Sequence, residues 1–563
     1  MYASKIILRY IQNLKFNFFF LILSSFLASV FNALSVVSLI PIVSLILESR
    51  IDPKITNMLN QFIDFDFNQF SQNSYITLFI FLFIIGGLLK VFNDYCIVKI
   101  RVKILSLYLK DTLDSFFLSD WHFFYMNDIG KISNSIYKEL DKVGGSIMAT
   151  LQLISNVFLI SVIIWIPFLI SYKVTFFSLI AIIFLLIPIK IINFYFYKIG
   201  KKITSESNIF STIFFYGVTM YKNISANAGN NLTINEVHQS YKKINIFEII
   251  KKVLNSSISE FLKVFAILFI FIIFGISVKF GLGIPESSAI LYAFIRIFPH
   301  INNTISMINA IEDQKPGFEL IEDLKLKSKN LTGAWGSKKF EDLKKDIKFE
   351  NVSFNYPNGK IALTNINLEI KKGEMVALVG QSGSGKSTIL DLIAGLNFSL
   401  SGKILIDNQN LYNFDKKSFL KNIGYVDSNI NLFPYSIKKN VKIFNPDASD
   451  KELLEAYSFA NLDEDLKDIK DTSEAFAANE GSVFSSGQKQ RLCIARAIIK
   501  NPKIIVFDEA TNYLDDTNEI YILENLKKLK NKKTVIFATH KKSILKYFDK
   551  VFYIKDGCID KVE

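Results

Sequence analysis

The sequence predicts two unlike halves in one chain: an α-helical region that crosses a membrane six times, then an α/β domain. Three observations predict this. Every long apolar run lies within residues 1–310, residues 340–563 read as short strands alternating with helices, and a charged stretch bearing Gly and Ser, 314–345, separates the two. Half of the 563 residues are apolar, including 53 Phe and 23 Tyr, which is too much for an ordinary soluble protein of this size. The domains are expected at 1–315 and 346–563, with a linker over 316–345.

A spanning helix needs about 20 apolar residues. The spans are expected at about 16–47, 70–89, 143–172, 174–197, 254–278 and 287–311. The fourth is prolonged past Lys190 by "IINFYFY", and the sixth is interrupted by Arg296 and Pro299. The start, "MYASKIILRYIQNLKFNFFF", is basic and then apolar like a signal peptide. The apolar run continues without a small-residue cleavage site, so it is read as a retained first span. Charge sets the orientation. The tail carries Lys5, Arg9 and Lys15 and no acid, whereas loop 48–69 has Glu48, Asp52, Asp64 and Asp66 against Arg50 and Lys54. The tail is therefore cytoplasmic and that loop outside. The basic segment 190–262 is cytoplasmic too, and six spans return the chain to the cytoplasm. The net charge of +13 is read as this positive-inside bias rather than as a nucleic-acid footprint. Segments 90–142 and 190–262 keep a helical period and are expected to prolong the membrane helices below the bilayer. Cys96, Cys493 and Cys558 are isolated, which argues against a disulfide or metal framework.

In the second half, "GQSGSGKST" (380–388) follows the apolar stretch "MVALV" and precedes "TILDLIAGL". It matches G-x-x-x-x-G-K-[ST], a P-loop between strand and helix. Gly380, Gly383 and Gly385, with Ser382 and Ser384 among them, let backbone N–H groups curl round a phosphate. Lys386 reaches the β- and γ-phosphates, and the Ser387 hydroxyl, followed by Thr388, ligates Mg²⁺. "KIIVFDEAT" (503–511) reads as a strand ending in two acids: Asp508 to hold Mg²⁺ and Glu509 to polarise the attacking water. "TVIFATH" (534–540) is another apolar strand, ending in His540.

The order of these parts, with "VFSSGQKQRL" (483–492) and "NYLDD" (512–516) between them, resembles the ATP-binding cassette. With six preceding spans, the whole chain resembles a half-transporter of the ABC exporter type. The resemblance implies an ATPase coupled to transport, with ATP and Mg²⁺ as cofactors. It implies that Tyr356 stacks on adenine, and that Ser485, Gly487 and Gln488 meet the γ-phosphate held by a second subunit. It makes His540 the switch histidine and puts Asp515 in the D-loop. Coupling helices are expected near Ile129–Tyr137 and Tyr216–Asn227.

Two positions depart from the family pattern. Where the family has L-S-G-G-Q, this chain has Phe484-Ser485-Ser486-Gly487-Gln488. If Ser486 must take a positive φ there, strain of about 1 kcal/mol or more follows. The family's Q-loop Gln aligns with Ser428, preceded by Asp427. Ser is too short to reproduce the reach of Gln to Mg²⁺, which leaves Asp427 or a water as the substitute. A homodimer with two weakened sites is the expected arrangement; the alternative is a heterodimer with a second half-transporter.

Asn32, Ser35, Gln152, Asn156, Arg296, His300, Asn302 and Asn303 lie within or at the ends of spans. An ionisable residue inside a span is by default a functional candidate. Arg296, with His300, would suit an anionic head group. "RIFPH" (296–300) and "SLIPIV" (38–43) resemble stretches of bacterial lipid-linked oligosaccharide flippases. The expected substrate is an amphipathic, phosphate-bearing lipid or glycolipid, moved out of the cytoplasmic leaflet of a bacterial inner membrane. Export of a peptide or hydrophobic drug is the main rival, although no cysteine-protease-like N-terminal domain is seen. An ATP-gated channel or regulator on the same scaffold is a further alternative.

Overall fold

Uninterrupted apolar stretches become long helices. In a computed structural model, which describes residues 2–38, 42–43, 72–186, 189–330, 335–356, 359–398, 401–467 and 484–563, the first 330 residues are helical wherever an element is assigned. The acidic loop 48–69, the first span beyond Ser38 with most of "SLIPIV", and residues 331–334 of the expected linker lie outside the described residues. The chain divides into two compact units, Met1–Ser119 with Phe123–Asn330, and Asp120–His122 with Leu331–Glu563.

The helical unit contains α1 (Tyr2–Tyr10), α2 (Lys15–Val37), α3 (Gln72–Phe117), α4 (Ile129–Asn134), α5 (Leu140–Ile170), α6 (Tyr172–Leu186), α7 (Ile189–Thr219), α8 (Asn230–Lys279) and α9 (Ile284–Asn330). Among the described residues, four helices are long and apolar enough to cross a membrane: Lys15–Val37, Ile76–Phe117, Ile129–Ile170 and Asn230–Lys279. The stretch expected as the fourth span falls on α6 and α7, and residues 187–188 between them are not described. The stretch expected as the sixth lies in α9. That helix passes Arg296, Pro299 and Pro316 without a break and covers half of the stretch read as linker. A proline in a helix removes one hydrogen bond and bends the axis, and packing against neighbouring helices holds the rest of the ladder.

Polar groups pin this unit where apolar packing alone is unspecific. Near the middle, Asn93 of α3 donates to Ser25 of α2 at 2.9 Å and to Ser155 of α5 at 2.6 Å. Lower down, a single π-turn at Ser135–Glu139 joins α4 to α5. It leaves the wholly buried Glu139 accepting from Lys142 at 2.9 Å and from Thr204 of α7 at 3.0 Å. Backbone contact closes the same level: a Cβ on Gly200 of α7 would lie 2.1 Å from the carbonyl oxygen of Asp313 on α9. In a membrane helix the small residue is what permits such an approach.

The second unit holds two sheets. One is antiparallel, ordered β2 (Ile361–Lys371), β1 (Asp346–Asn355), β4 (Ser401–Ile406), β5 (Gln409–Asn410). The other is ordered β10 (Cys558–Val562), β9 (Lys550–Lys555), β3 (Met375–Val379), β8 (Thr534–Thr539), β7 (Ile504–Asp508), β6 (Ile423–Val426). Within it β9, β3, β8, β7 and β6 run parallel, and β10 is the antiparallel edge. Strands β3, β7 and β8 are buried at every residue. This explains their continuous apolar spelling, since parallel strands are covered on both faces. The carboxyl ends of β3, β8, β7 and β6 lie at one edge, where ligands bind in open α/β sheets.

Gly200→Ala is expected to lower the thermal unfolding temperature of the detergent-solubilised protein by several degrees, because backbone rather than a pliable side chain occupies the space. Gly275→Ala on α8, with nothing within 4 Å of its new methyl group, is the control and is expected to leave that temperature unchanged.

Candidate functional site

The loop after β3 is built for close approach. A Cβ on Gly380 would sit 2.3 Å from the carbonyl oxygen of Ile554, and Gly385 holds φ +109°, a conformation that excludes other residues. Helix α10 (Lys386–Ile393) starts directly after it. Lys386 is buried, and its ammonium donates to the carbonyl oxygens of Gly380 at 2.9 Å and Gln381 at 3.0 Å. Glu509 Oε1 stands 3.4 Å from the same nitrogen. The Ser384 hydroxyl is buried without a hydrogen-bond partner among the described residues. Ser382 and Gly383 form the outer turn, Gly383 with φ +79°.

Strand β7 delivers the two acids in different ways. Asp508, its last residue, is buried and accepts from the Ser387 hydroxyl at 2.9 Å. Glu509 follows with φ +49°, an uncommon conformation for a residue with a Cβ. It brings Oε1 within 3.9 Å of His540 Nδ1 at the end of β8. Thus Lys386, Ser387, Asp508, Glu509 and His540 are brought together on one sheet edge. Tyr356 is half-buried, shares a hydrogen bond with Thr388 at 2.9 Å, and packs edge-on against Phe354.

The donor set beside Ser387 consists of oxygens, as Mg²⁺ requires. Among the described residues no three His, Cys, Asp or Glu side chains cluster closely enough to hold a metal alone. Mg²⁺ held by one hydroxyl and one carboxylate, completed by phosphate oxygens and water, fits these residues. At the end of β6, Ser428 is half-buried and donates to the exposed Asp427 at 3.2 Å. Asp427 is close enough to act electrostatically on Asp508: burial pushes the Asp508 carboxyl up, the Ser387 hydroxyl opposes this, and the charges of Asp427 and Glu509 add to it.

Sequence reasoning missed Asp391 and Tyr425. Asp391 lies one turn after Ser387 on α10 and accepts from the Tyr425 hydroxyl at 3.1 Å. Burial pushes its carboxyl up to about 7; the Tyr425 bond opposes this, and Asp508 and Asp427 reinforce it. The available signal was one acid in the otherwise apolar "TILDLIAGL".

The signature segment forms a helix start. Ser485 caps α11 (Ser486–Ile498) and accepts from the Gln488 N–H, while Gln488 Oε1 accepts from the Ser485 N–H at 2.7 Å. This reciprocal capping box satisfies two N–H groups that lack helical partners. The Gln488 amide also donates to Asp465, at 2.6 Å. Ser486 is the first helical residue and is absent from the residues with positive φ. The strain anticipated for a Ser at this position therefore does not arise. The tight place is Gly487, where a Cβ would lie 3.0 Å from the Tyr513 carbonyl oxygen. Asp515 caps α12 (Asp516–Lys528), accepting from the Asn518 N–H at 2.7 Å, and this bond foremost brings its carboxyl down to about 2.

The intramembrane candidates lie in the other unit. Arg296 donates to Asn32 and Ser35 on α2, both at 3.1 Å, and its guanidinium lies over the rings of Phe83 and Tyr292. His300 pairs with Asn156 of α5 at 3.1 Å. These contacts join α9 to α2 and to α5.

Residues 363–512 match the family described as ABC transporter. Over 223 residues the chain is 35% identical to the leukotoxin translocation ATP-binding protein LktB of Pasteurella haemolytica-like sp. (strain 5943B), covering 39% of this chain and 32% of that protein. Over 225 residues it is 36% identical to the putative multidrug export ATP-binding/permease protein YgaD of Bacillus subtilis (strain 168), covering 40% of this chain and 39% of that protein. The chain thus spans only about a third of the length of the curated relatives it matches. The solved structure of a bacterial Atm1-family ABC exporter with ATP bound superposes with a TM-score of 0.80 at 17% identity, over 98% of this chain and 95% of that one.

Two outcomes are expected. Ser486→Gly leaves the unfolding free energy of the full chain within about 0.5 kcal/mol, read by denaturant titration; a gain above 1 kcal/mol would mean that Ser486 is strained. For Asp391, a folded value above the unfolded one means that its contribution to stability is complete below about pH 4 and is lost as pH rises through about 7. With nucleotide absent and metals chelated, Asp391→Asn is expected to flatten that fall in melting scans between pH 5 and 8.

Proposed function

The chain carries an ABC transporter domain on the fold of an ABC exporter half-transporter, and from that premise we propose that it is an ATP-driven exporter acting as a flippase. Its substrate is an amphipathic molecule, a phosphate-bearing lipid or lipid-linked oligosaccharide, carried out of the cytoplasmic leaflet. The protein is integral to the bacterial inner membrane, with its N-terminus and cassette in the cytoplasm. It works as a homodimer, or as one half of a heterodimer, in which Ser485 and Gly487 of one copy face the nucleotide held by the other. Two relatives are named for leukotoxin translocation and for multidrug export, so export of a peptide or hydrophobic drug is the second reading.

The observation that supports ATP hydrolysis is the convergence of Lys386, Ser387, Asp508, Glu509 and His540 on one sheet edge. Mg²⁺ and ATP, when bound, supply a polarised γ-phosphoryl group; Ser387 and Asp508 would hold the metal, and Tyr356 would cover the base. Lys386 offers a cation whose hydrogen bonds to its own loop keep it at the phosphate level. Glu509 is the carboxylate placed to orient water and accept its proton, and His540 sits beside it to fix that orientation. Ser485 and Gly487 present a hydroxyl and a bare N–H at the positive end of α11.

Glu509→Gln and Lys386→Ala are each expected to lower ATP turnover of the purified protein in nanodiscs by roughly 100-fold or more. Normal hydrolysis in both variants would refute these roles.

A further inference from the structure

Outside the nucleotide site, the helical unit holds a cavity of about 580 Å³ among α7, α8 and α9, within the size range of small-molecule sites. Its most unusual wall is Asn309 of α9. This side chain is only 1% exposed, yet neither its carbonyl oxygen nor its amide nitrogen has a hydrogen-bond partner among the described residues. Buried amides are almost always paired, so an amide facing a cavity with both ends free marks a place where something polar belongs. Next to it, Lys251 is already neutralised, 2.7 Å from Glu248 and 3.3 Å from Asp313. Ser306 lies one turn before Asn309, and Phe196 adds an aromatic face.

We propose that this cavity binds a neutral, hydroxyl-rich group, the sugar of an amphipathic substrate, with Asn309 as the residue that reads it. The chemistry of the amide decides the class. Its oxygen needs a donor and its nitrogen needs an acceptor. A phosphoryl group only accepts, so it would satisfy one end and leave the other bare. Neighbouring sugar hydroxyls donate and accept within the reach of one amide. Lys251 and Lys252 against Glu248 and Asp313 likewise present donors and acceptors whose formal charges cancel, and an anion could use Lys251 only by competing with its two carboxylates. Phe196 offers the apolar face that sugar rings pack on. The assignment deepens the glycolipid reading above and rests on it for the choice of sugar over peptide.

The test compares three probes with one eight-carbon tail and different heads: octyl β-glucoside, octyl phosphate and octanoyl glycinamide. Binding to the full chain in phosphatidylcholine nanodiscs, without nucleotide, is read by saturation-transfer NMR. The glucoside is expected to bind, and Asn309→Leu to weaken it roughly tenfold or more. Its unfolding temperature should stay the same or rise, because a lone buried amide is removed. Ser306→Ala, a smaller change in the same wall, is expected to weaken the glucoside in the same direction and guards against a folding defect in the first variant. Unchanged glucoside affinity in both variants overturns the proposal. So does Asn309-dependent binding of the phosphate or the glycinamide that is tighter than that of the glucoside. Because no ATP is present, glucoside binding that survives in a protein without ATP turnover would refute the exporter reading and leave this site standing.

Discussion

Four parallel strands that end at one edge are the constraint on which the nucleotide half depends. The pairing of β3 with β8, β8 with β7, and β7 with β6 places the P-loop, His540, the Asp508–Glu509 pair and Asp427 side by side, although more than 150 residues of sequence separate the first from the second. None of these side chains would meet another if a strand slipped by one residue, because a one-residue slip turns every side chain to the opposite face. The backbone ladders that join β3, β8 and β7, strands buried at every residue, hold that register. The site is thus held by residues that never touch a substrate, and its polar members can spend their hydrogen bonds on one another: Ser387 on Asp508, Lys386 on its own loop.

Much of this was legible in the sequence because each motif states its own geometry. "GQSGSGKST" between an apolar strand and a helix demands a phosphate cradle, and "FDEAT" demands strand-end acids. What the sequence hid are relations across the sheet. Asp391 is spelled inside a motif-bearing helix, but its meaning comes from Tyr425, 34 positions away. Ser486 looked like a flaw because its neighbours are read as a phosphate-binding loop. In the fold it is the first residue of a capped helix, where a side chain is no burden, and the restricted position is Gly487, crowded by the Tyr513 carbonyl.

The helical half was legible in kind and less so in detail. Composition announces long membrane helices, but it does not say where one helix stops. Pro299 and Pro316 lie within α9 rather than at its ends, since packing by neighbours supersedes local preference. Arg296 illustrates the same limit. A lone cation in an apolar run gives no sign in sequence of what it meets, and only its partners Asn32 and Ser35, more than 250 residues earlier, show that it also joins two helices. Asn309 escaped notice for the opposite reason, because what singles it out is the lack of a partner for its amide among the described residues.

The unbroken run of α9 through 47 residues has a mechanical implication. At 1.5 Å per residue such a helix runs about 70 Å along its axis, several times its own diameter. Pivoting it by five degrees about one tip sweeps the other through about 6 Å, on that same rise per residue. Displacements too small to disturb side-chain packing at one end are therefore magnified into travel of atomic-radius scale or more at the other. A continuous helix of this length works as a lever arm as long as packing holds its bends at Pro299 and Pro316 fixed.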